Sequence, residues 1–237
     1  MALDTNCIAY IIQDNMKYAI LLTVLAAIGA IPPFHSSGSA MQNRAEQARR
    51  NVATKLMPYL GQPVFIRIIK EDWQLELWWQ HRGKWEILKT YPIAGMSGQL
   101  GPKECEGDCQ APEGFYRVQP HALNPKSKYY LSFNIGYPNE YDKKRGRTGS
   151  HIMVHGSNVS IGCFAMTDKG IEEIYTLVAE ALQAGQSYVP VQVYPFRMTP
   201  QRMEEEHGSP HYEFWQHLLD GWRYTEEKRE PWPDSDN

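Results

Sequence analysis

The chain has 237 residues, 42% of them apolar and 12% aromatic, which suits one well-filled domain with short attachments and leaves too little for two full ones. Its formal charge of -3 comes without any dense run of lysine or arginine, so the basic footprint of a nucleic-acid binder is missing and nucleic acid is not an expected partner.

The first patterned segment begins at Met16, where Lys17 precedes the apolar stretch Tyr18 to Ile31, then Pro32, Pro33 and the small residues Ser36 to Ala40. That order predicts a secretory signal peptide, and residues 1–40 read as an N-terminal extension plus that signal. The apolar run is shorter than the roughly 20 residues a spanning helix needs. An uncleaved anchor is the alternative, and the only route to a membrane. Residues 1–15 carry Asp4 and Asp14 and no basic residue, which points to Met16 as the start of translation.

Residues 41–60, rich in Ala, Arg, Gln and Glu, predict a helical lead-in ending near Pro58 and Gly61. From Pro63 the texture turns to β. Segments 64–69, 75–79 and 85–93 predict a meander of antiparallel strands, and 95–114 a long functional loop punctuated by Gly, Pro and Cys. Strands are expected again at 115–118 and 129–134, the latter with Tyr129, Leu131 and Phe133 on one face. A second loop, 136–150, holds Lys143, Lys144, Arg145 and Arg147, either a solvated turn or a rim for an anionic substrate. In 151–155 alternation sends His151, Met153 and His155 to one side. A helix capped by Thr167 or Asp168 should run to Gly185, with Ile171, Ile174, Tyr175, Val178 and Leu182 at helical spacing. A strand follows at 189–194, then a C-terminal helix and tail over 201–237 with Trp215, Trp222 and Trp232. The fold class expected is mainly β with packed helices (α+β), the main domain spanning 61–200.

Of four cysteines, Cys7 lies before any cleavage point, leaving Cys105, Cys109 and Cys163. Cys105 and Cys109 flank a turn-like Glu-Gly-Asp and could reach disulfide range in an oxidising compartment. Cys163 is then an odd thiol, either buried and inert or reactive. Its setting is the string His155-Gly156-Ser157-Asn158-Val159-Ser160-Ile161-Gly162-Cys163. A cysteine nucleophile needs a nearby base, and a loop between His155 and Cys163 would return the thiol to the imidazole. Gly162 permits a positive φ, so that the amide of Cys163 or Gly162 could face an oxyanion. Ser160 could hold the loop through its hydroxyl. The imidazole would be oriented by a carbonyl or hydroxyl around Gly156 and Ser157. A zinc site from His151, His155 and Cys163 lacks the usual paired spacing, so no metal or other cofactor is expected.

His155, Gly156, Ser160, Gly162 and Cys163 match HGxxxSxGC, which resembles the motif of the L,D-transpeptidase catalytic (YkuD) domain family. Further text is similar to its YafK-like branch: Gly101-Pro102-Lys103, Ala111 to Tyr116, Leu123-Asn124-Pro125, Leu131 to Asn139, Gly146 to Ser150, Phe164 to Asp168 and Pro195 to Thr199. The resemblance spans about residues 60 to 200. It implies an L,D-transpeptidase-like β-sandwich domain acting on peptidoglycan stem peptides by a ping-pong mechanism, and the signal pattern from Met16 places it in the periplasm. Cys163 would attack the carbonyl at the L-centre of meso-diaminopimelate, His155 would carry the proton, and the thioester would pass to an amine or to water. Common members have a second histidine where this chain has Ile161, so release of peptidoglycan-bound outer-membrane lipoprotein by hydrolysis is an equal outcome. Arg147, Arg197 and His151 are candidates for binding substrate carboxylates, the two arginines by bidentate pairing; both could instead be structural ion pairs. A noncatalytic wall-binding module, or a redox protein exchanging Cys163 with Cys105 or Cys109, are the competing classes.

Overall fold

The computed structural model describes residues 37–233. The expected signal segment, its anchor alternative and the start at Met16 lie outside the described residues.

Val64–Ile69 (β1), Gln74–His81 (β2) and Lys84–Pro92 (β3) form the antiparallel meander. Gly114–Val118 (β4) and Val189–Tyr194 (β9) complete a five-stranded sheet in the order β3-β2-β1-β9-β4, with β1 and β9 parallel at its centre. The central position of β1 explains why all six of its residues are buried: both faces are covered. Val64, Ile66 and Ile68 join the main core, while Ile69 joins a second cluster with Phe115, Tyr194, Phe196, Trp215 and Trp222. That second cluster is made by the C-terminal residues, chiefly the helices Pro200–Glu205 (α4) and Tyr212–Lys228 (α5). The tail therefore covers the outer face of the sheet.

A four-stranded sheet consists of Leu123–Asn124 (β5), Ser132–Asn134 (β6), Met153–His155 (β7) and Phe164–Ala165 (β8), with β7 and β8 parallel. Leu131, Phe133, Val154 and Phe164 from this region share the main core with β1 and with Ile171, Ile174, Leu177 and Val178 of the helix Thr167–Gln183 (α3). The molecule is thus α+β, with two mixed sheets and several helices. Thr167 caps α3 as expected, its hydroxyl accepting the Gly170 amide at 3.2 Å. The lead-in helix Ser37–Leu56 (α1) buries Ala48, Val52 and Leu56, one stripe at i, i+4, i+8, and is tied to α3 by Lys55–Glu173 (2.6 Å) and Asn51–Glu172 (2.9 Å).

Two local expectations fail for backbone reasons. Tyr130 sits at φ 72°, so alternation breaks and the strand starts only at Ser132, with Tyr129 partly exposed rather than in the core. In the 136–150 loop, Glu140–Lys144 forms a short helix (α2) with an Asn139–Asp142 capping box. Its charges are met internally: Lys143 bridges Glu140, Arg145 covers the Tyr141 ring and Arg147 pairs with Asp142.

The loop 95–114 is anchored from beneath by a buried ion pair. Lys70, just after β1, donates to Glu113 Oε1 (2.8 Å) and to the carbonyls of Ala111 (2.9 Å) and Gly101 (3.0 Å). Glu113 also accepts the Gly101 amide (2.7 Å) and Trp215 Nε1 of α5 (2.8 Å). Every polar atom of the pair has a partner, the condition for a buried pair to be tolerated.

Candidate active site

The parallel register of β7 and β8 sets Val154 beside Phe164 and His155 beside Ala165. Val154 and Phe164 point into the core, with no exposure, so Met153, His155 and Cys163 face the other way. Cys163 lies at the end of β8, opposite Met153, and its sulfur accepts the Met153 amide at 3.3 Å. The two candidate chemical groups are therefore brought to one face of adjacent strands.

His155 is buried, and its Nδ1 donates to the carbonyl of Gly156 at 2.6 Å. That bond selects the tautomer with an unprotonated Nε2, which has no hydrogen-bond partner among the described residues. Burial lowers the imidazole's pKa, opposed by the Gly156 bond, and burial raises that of the Cys163 thiol, opposed by the Met153 amide. Both shifts favour the neutral forms. The resting thiol is directed to the His151 carbonyl, 3.6 Å away, and is not bonded to the imidazole. Such a pair suits deprotonation in step with attack better than a preformed ion pair.

The connecting loop has clear physical constraints. A Cβ on Gly156 would lie 2.6 Å from both Asp168 Oδ1 and the Tyr129 carbonyl, so only glycine fits. Ser157 stands at φ 66°, with its amide held by Asp168 at 2.8 Å. Gly162 has φ 77°, as the positive-φ expectation required, but its amide is engaged by Ser97 Oγ at 2.7 Å. Of the two amides considered for an oxyanion, that of Cys163 is without an acceptor among the described residues. Ser160 does not hold the loop: its hydroxyl is buried and makes no hydrogen bond.

Two cavities flank the pair. One of about 620 Å³ is lined by Trp73, Ser97, Gln110, Ile161 and His211, and the other of about 550 Å³ by Lys128, Tyr129, Ser157 and Asp168. Neither is lined by Cys163 itself. The first adjoins it through Ile161 and the Ser97–Gly162 bond, and the second reaches His155 through Tyr129, whose ring lies 4.8 Å from the imidazole.

The L,D-transpeptidase catalytic domain profile matches residues 64–193. The chain is also 46% identical over 172 residues to YafK of Escherichia coli (strain K12), classed by name with the L,D-transpeptidases, covering 73% of this chain and 70% of that one. The chain belongs to the L,D-transpeptidase catalytic domain family. Among solved structures, the helical cell shape determining protein Pgp2 of Campylobacter jejuni superposes with a TM-score of 0.47 at 24% identity, over 66% of this chain and 55% of that one. L,D-transpeptidase 1 of Mycobacterium tuberculosis gives 0.31 at 14%, over 56% and 62%. These two superpositions are too loose to carry functional detail, and family membership rests on the sequence matches.

Within this L,D-transpeptidase domain, the two arginines predicted to bind substrate are already paired within the chain, while His151 lies beside the nucleophile. Arg147 is buried against Asp142 (2.7 Å) and covers the Phe214 ring. Arg197 is taken by Asp72 (2.7 Å), Gln74 (3.0 Å) and Glu76 (3.3 Å). The guanidiniums are thus spent on this chain's own acceptors. At His151 a φ of 56° breaks the strand pattern, and its carbonyl lies 3.6 Å from the thiol. Cys105 is a free, exposed thiol, so the expected 105–109 bridge is not made. The loop there wraps instead around the Asp108 carboxylate, which accepts the amides of Glu104, Cys105 and Gln110. No group of three His, Cys, Asp or Glu among the described residues could hold a metal. Sequence reasoning missed Ser97 and Tyr129. Each reaches the motif across a fold contact, and the one signal available was the Gly-rich loop that carries Ser97.

Proposed function

We propose that this L,D-transpeptidase-family protein is a periplasmic cysteine acyltransferase acting on peptidoglycan stem peptides at the L-centre of meso-diaminopimelate. The observation carrying this reading is the His155–Gly156 bond, which presents an unprotonated Nε2 on the same face as the Cys163 thiol. In the reaction the thiol turns from the His151 carbonyl to Nε2, which takes its proton as sulfur attacks the substrate carbonyl. The Cys163 amide faces the developing oxyanion. Collapse of the tetrahedral intermediate breaks the C–N bond, the imidazolium returns its proton to the departing amine, and a thioester remains. An acceptor amine, deprotonated by His155, then yields a new peptide bond, and water in its place yields a free acid. Export, and hence the periplasm, follows from the Met16–Ala40 pattern.

A second reading, hydrolysis by the same Cys163–His155 pair, is raised by one feature. Ile161, half exposed beside the nucleophile, provides no group to hold an incoming amine. In that case the substrate is peptidoglycan carrying bound outer-membrane lipoprotein. Incubating wild type and Cys163→Ala with such peptidoglycan, followed by mass spectrometry, separates the outcomes. Tripeptide-linked lipoprotein released by wild type alone supports hydrolysis, and new diaminopimelate crosslinks or exchanged terminal residues support transpeptidation. No Cys163-dependent product in either substrate ends the enzymatic reading.

A further inference from the structure

Ser97 lies in the loop that follows β3, far in sequence from the catalytic motif, yet its side chain is buried and fully committed. Its Oγ accepts the Gly162 amide at 2.7 Å while its hydroxyl donates to the Cys109 carbonyl at 2.5 Å. The Ser97 carbonyl in turn accepts the Ala111 amide at 3.1 Å, in the stretch held by Lys70. Two residues upstream, Gly95 and Ala165 exchange backbone bonds of 2.8 and 3.3 Å. Residues 95–97 therefore run beside 162–165 and grip them at both ends. A Cβ on Gly95 would lie 2.5 Å from the Asn158 carbonyl, so the two segments meet at backbone contact.

Gly162 stands at φ 77° and has no side chain of its own to fix its torsions. The bond to Ser97 fixes the plane of the peptide entering Gly162. The next peptide, which carries the Cys163 amide, is aimed from that fixed plane. We infer that Ser97 is a positioning residue for acyl transfer: it occupies the Gly162 amide and so directs the Cys163 amide at the oxyanion. Cys163 N–H is thereby the donor that the reaction uses, and Gly162 N–H is not. The inference rests on the acyl-transfer reading above for its kinetic half, while its structural half stands independently.

Amide hydrogen exchange read by NMR tests the structural half. In wild type the Gly162 amide should be protected and the Cys163 amide should exchange fast. Ser97→Ala should speed Gly162 exchange at least about tenfold while Ala165 and Ala111 keep their protection. In the lipoprotein-release or transpeptidation assay the same variant should lose about 10- to 100-fold in kcat with KM within about twofold, the size expected when an oxyanion donor is misaimed. Ser97→Thr, which keeps the hydroxyl, should restore most of both. Gly162 exchange that ignores Ser97→Ala overturns the inference, as does unchanged kcat, or a loss of protection shared equally by Ala165 and Ala111, which would mean general loosening. A wild type with no Cys163-dependent turnover but Ser97-dependent protection of Gly162 would instead remove the acyl-transfer reading and leave the clamp in place.

Discussion

Replacing Lys70 by methionine takes the cation out of the most enclosed ion pair beneath the candidate site. Lys70 and Glu113 are both almost wholly buried. After Lys70→Met, Glu113 would keep two neutral donors, the Gly101 amide and Trp215 Nε1, but its charge would have no counter-charge. The Gly101 carbonyl would still be met by Gln110 Nε2 at 2.8 Å, whereas the Ala111 carbonyl would lose its Lys70 donor. Stranding one member of a buried pair costs about 3–5 kcal/mol. For a chain of this size that lowers Tm by on the order of 10 °C. Lys70→Met/Glu113→Gln, which removes both charges, should be more stable than the single variant. Urea denaturation followed by tryptophan fluorescence measures the free energies, since Trp215 is itself part of the network, and a thermal melt gives the Tm. A single variant within about 1 kcal/mol of wild type, or a double variant showing simple additivity, would refute the reasoning.

Burial keeps His155 below the ordinary imidazole value near 6.5, so the unfolded chain binds that proton more readily. The associated stability is complete above about pH 6.5 and is lost as pH falls through the lower folded value. His155→Gln should therefore show a smaller loss of stability between pH 7.5 and pH 5 than wild type, measured by urea denaturation at the two pH values; equal losses would contradict it. The Cys163 thiol is raised by burial, so its alkylation by iodoacetamide should still be accelerating above pH 9. A rate that levels off below pH 8 would mean a thiolate already stabilised. Gly156→Ala forces a methyl against Asp168 and the Tyr129 carbonyl and should cost about 1–3 kcal/mol, and a melting curve that coincides with wild type would show that the loop can give way.

Much of the fold could be read from the chain because its strongest elements are locally specified. The β1–β3 meander and β9 have clear apolar patterning, and α3 combines a Thr167 cap with a continuous apolar stripe. What failed did so at single backbone positions. Tyr130 and His151 adopt positive φ without being glycine, and no side-chain pattern announces that. The nucleophile and base were legible because they sit in one short string, and the Gly156 carbonyl was within the range anticipated for the imidazole's partner. Ser97 was invisible because it lies 65 residues from Gly162, a distance that only folding closes. The arginines misled for another reason: charge type can be read from sequence, but whether a carboxylate such as Asp142 or Asp72 already occupies the guanidinium cannot.

The parallel contact between β1 and β9 also sets an order of assembly. Strand β4 is paired only to β9, and β9 joins β1 from the opposite end of the matched domain. A growing chain that has emerged through Cys163 and α3 therefore holds the whole catalytic string while β4 waits without its sheet partner. The middle of the sheet is filled last, by Val189–Tyr194, and the outer face stays uncovered until Trp215 and Trp222 arrive. Chains stopped short of these residues would display the motif along with open strand edges, and aggregation rather than partial activity is their expected fate.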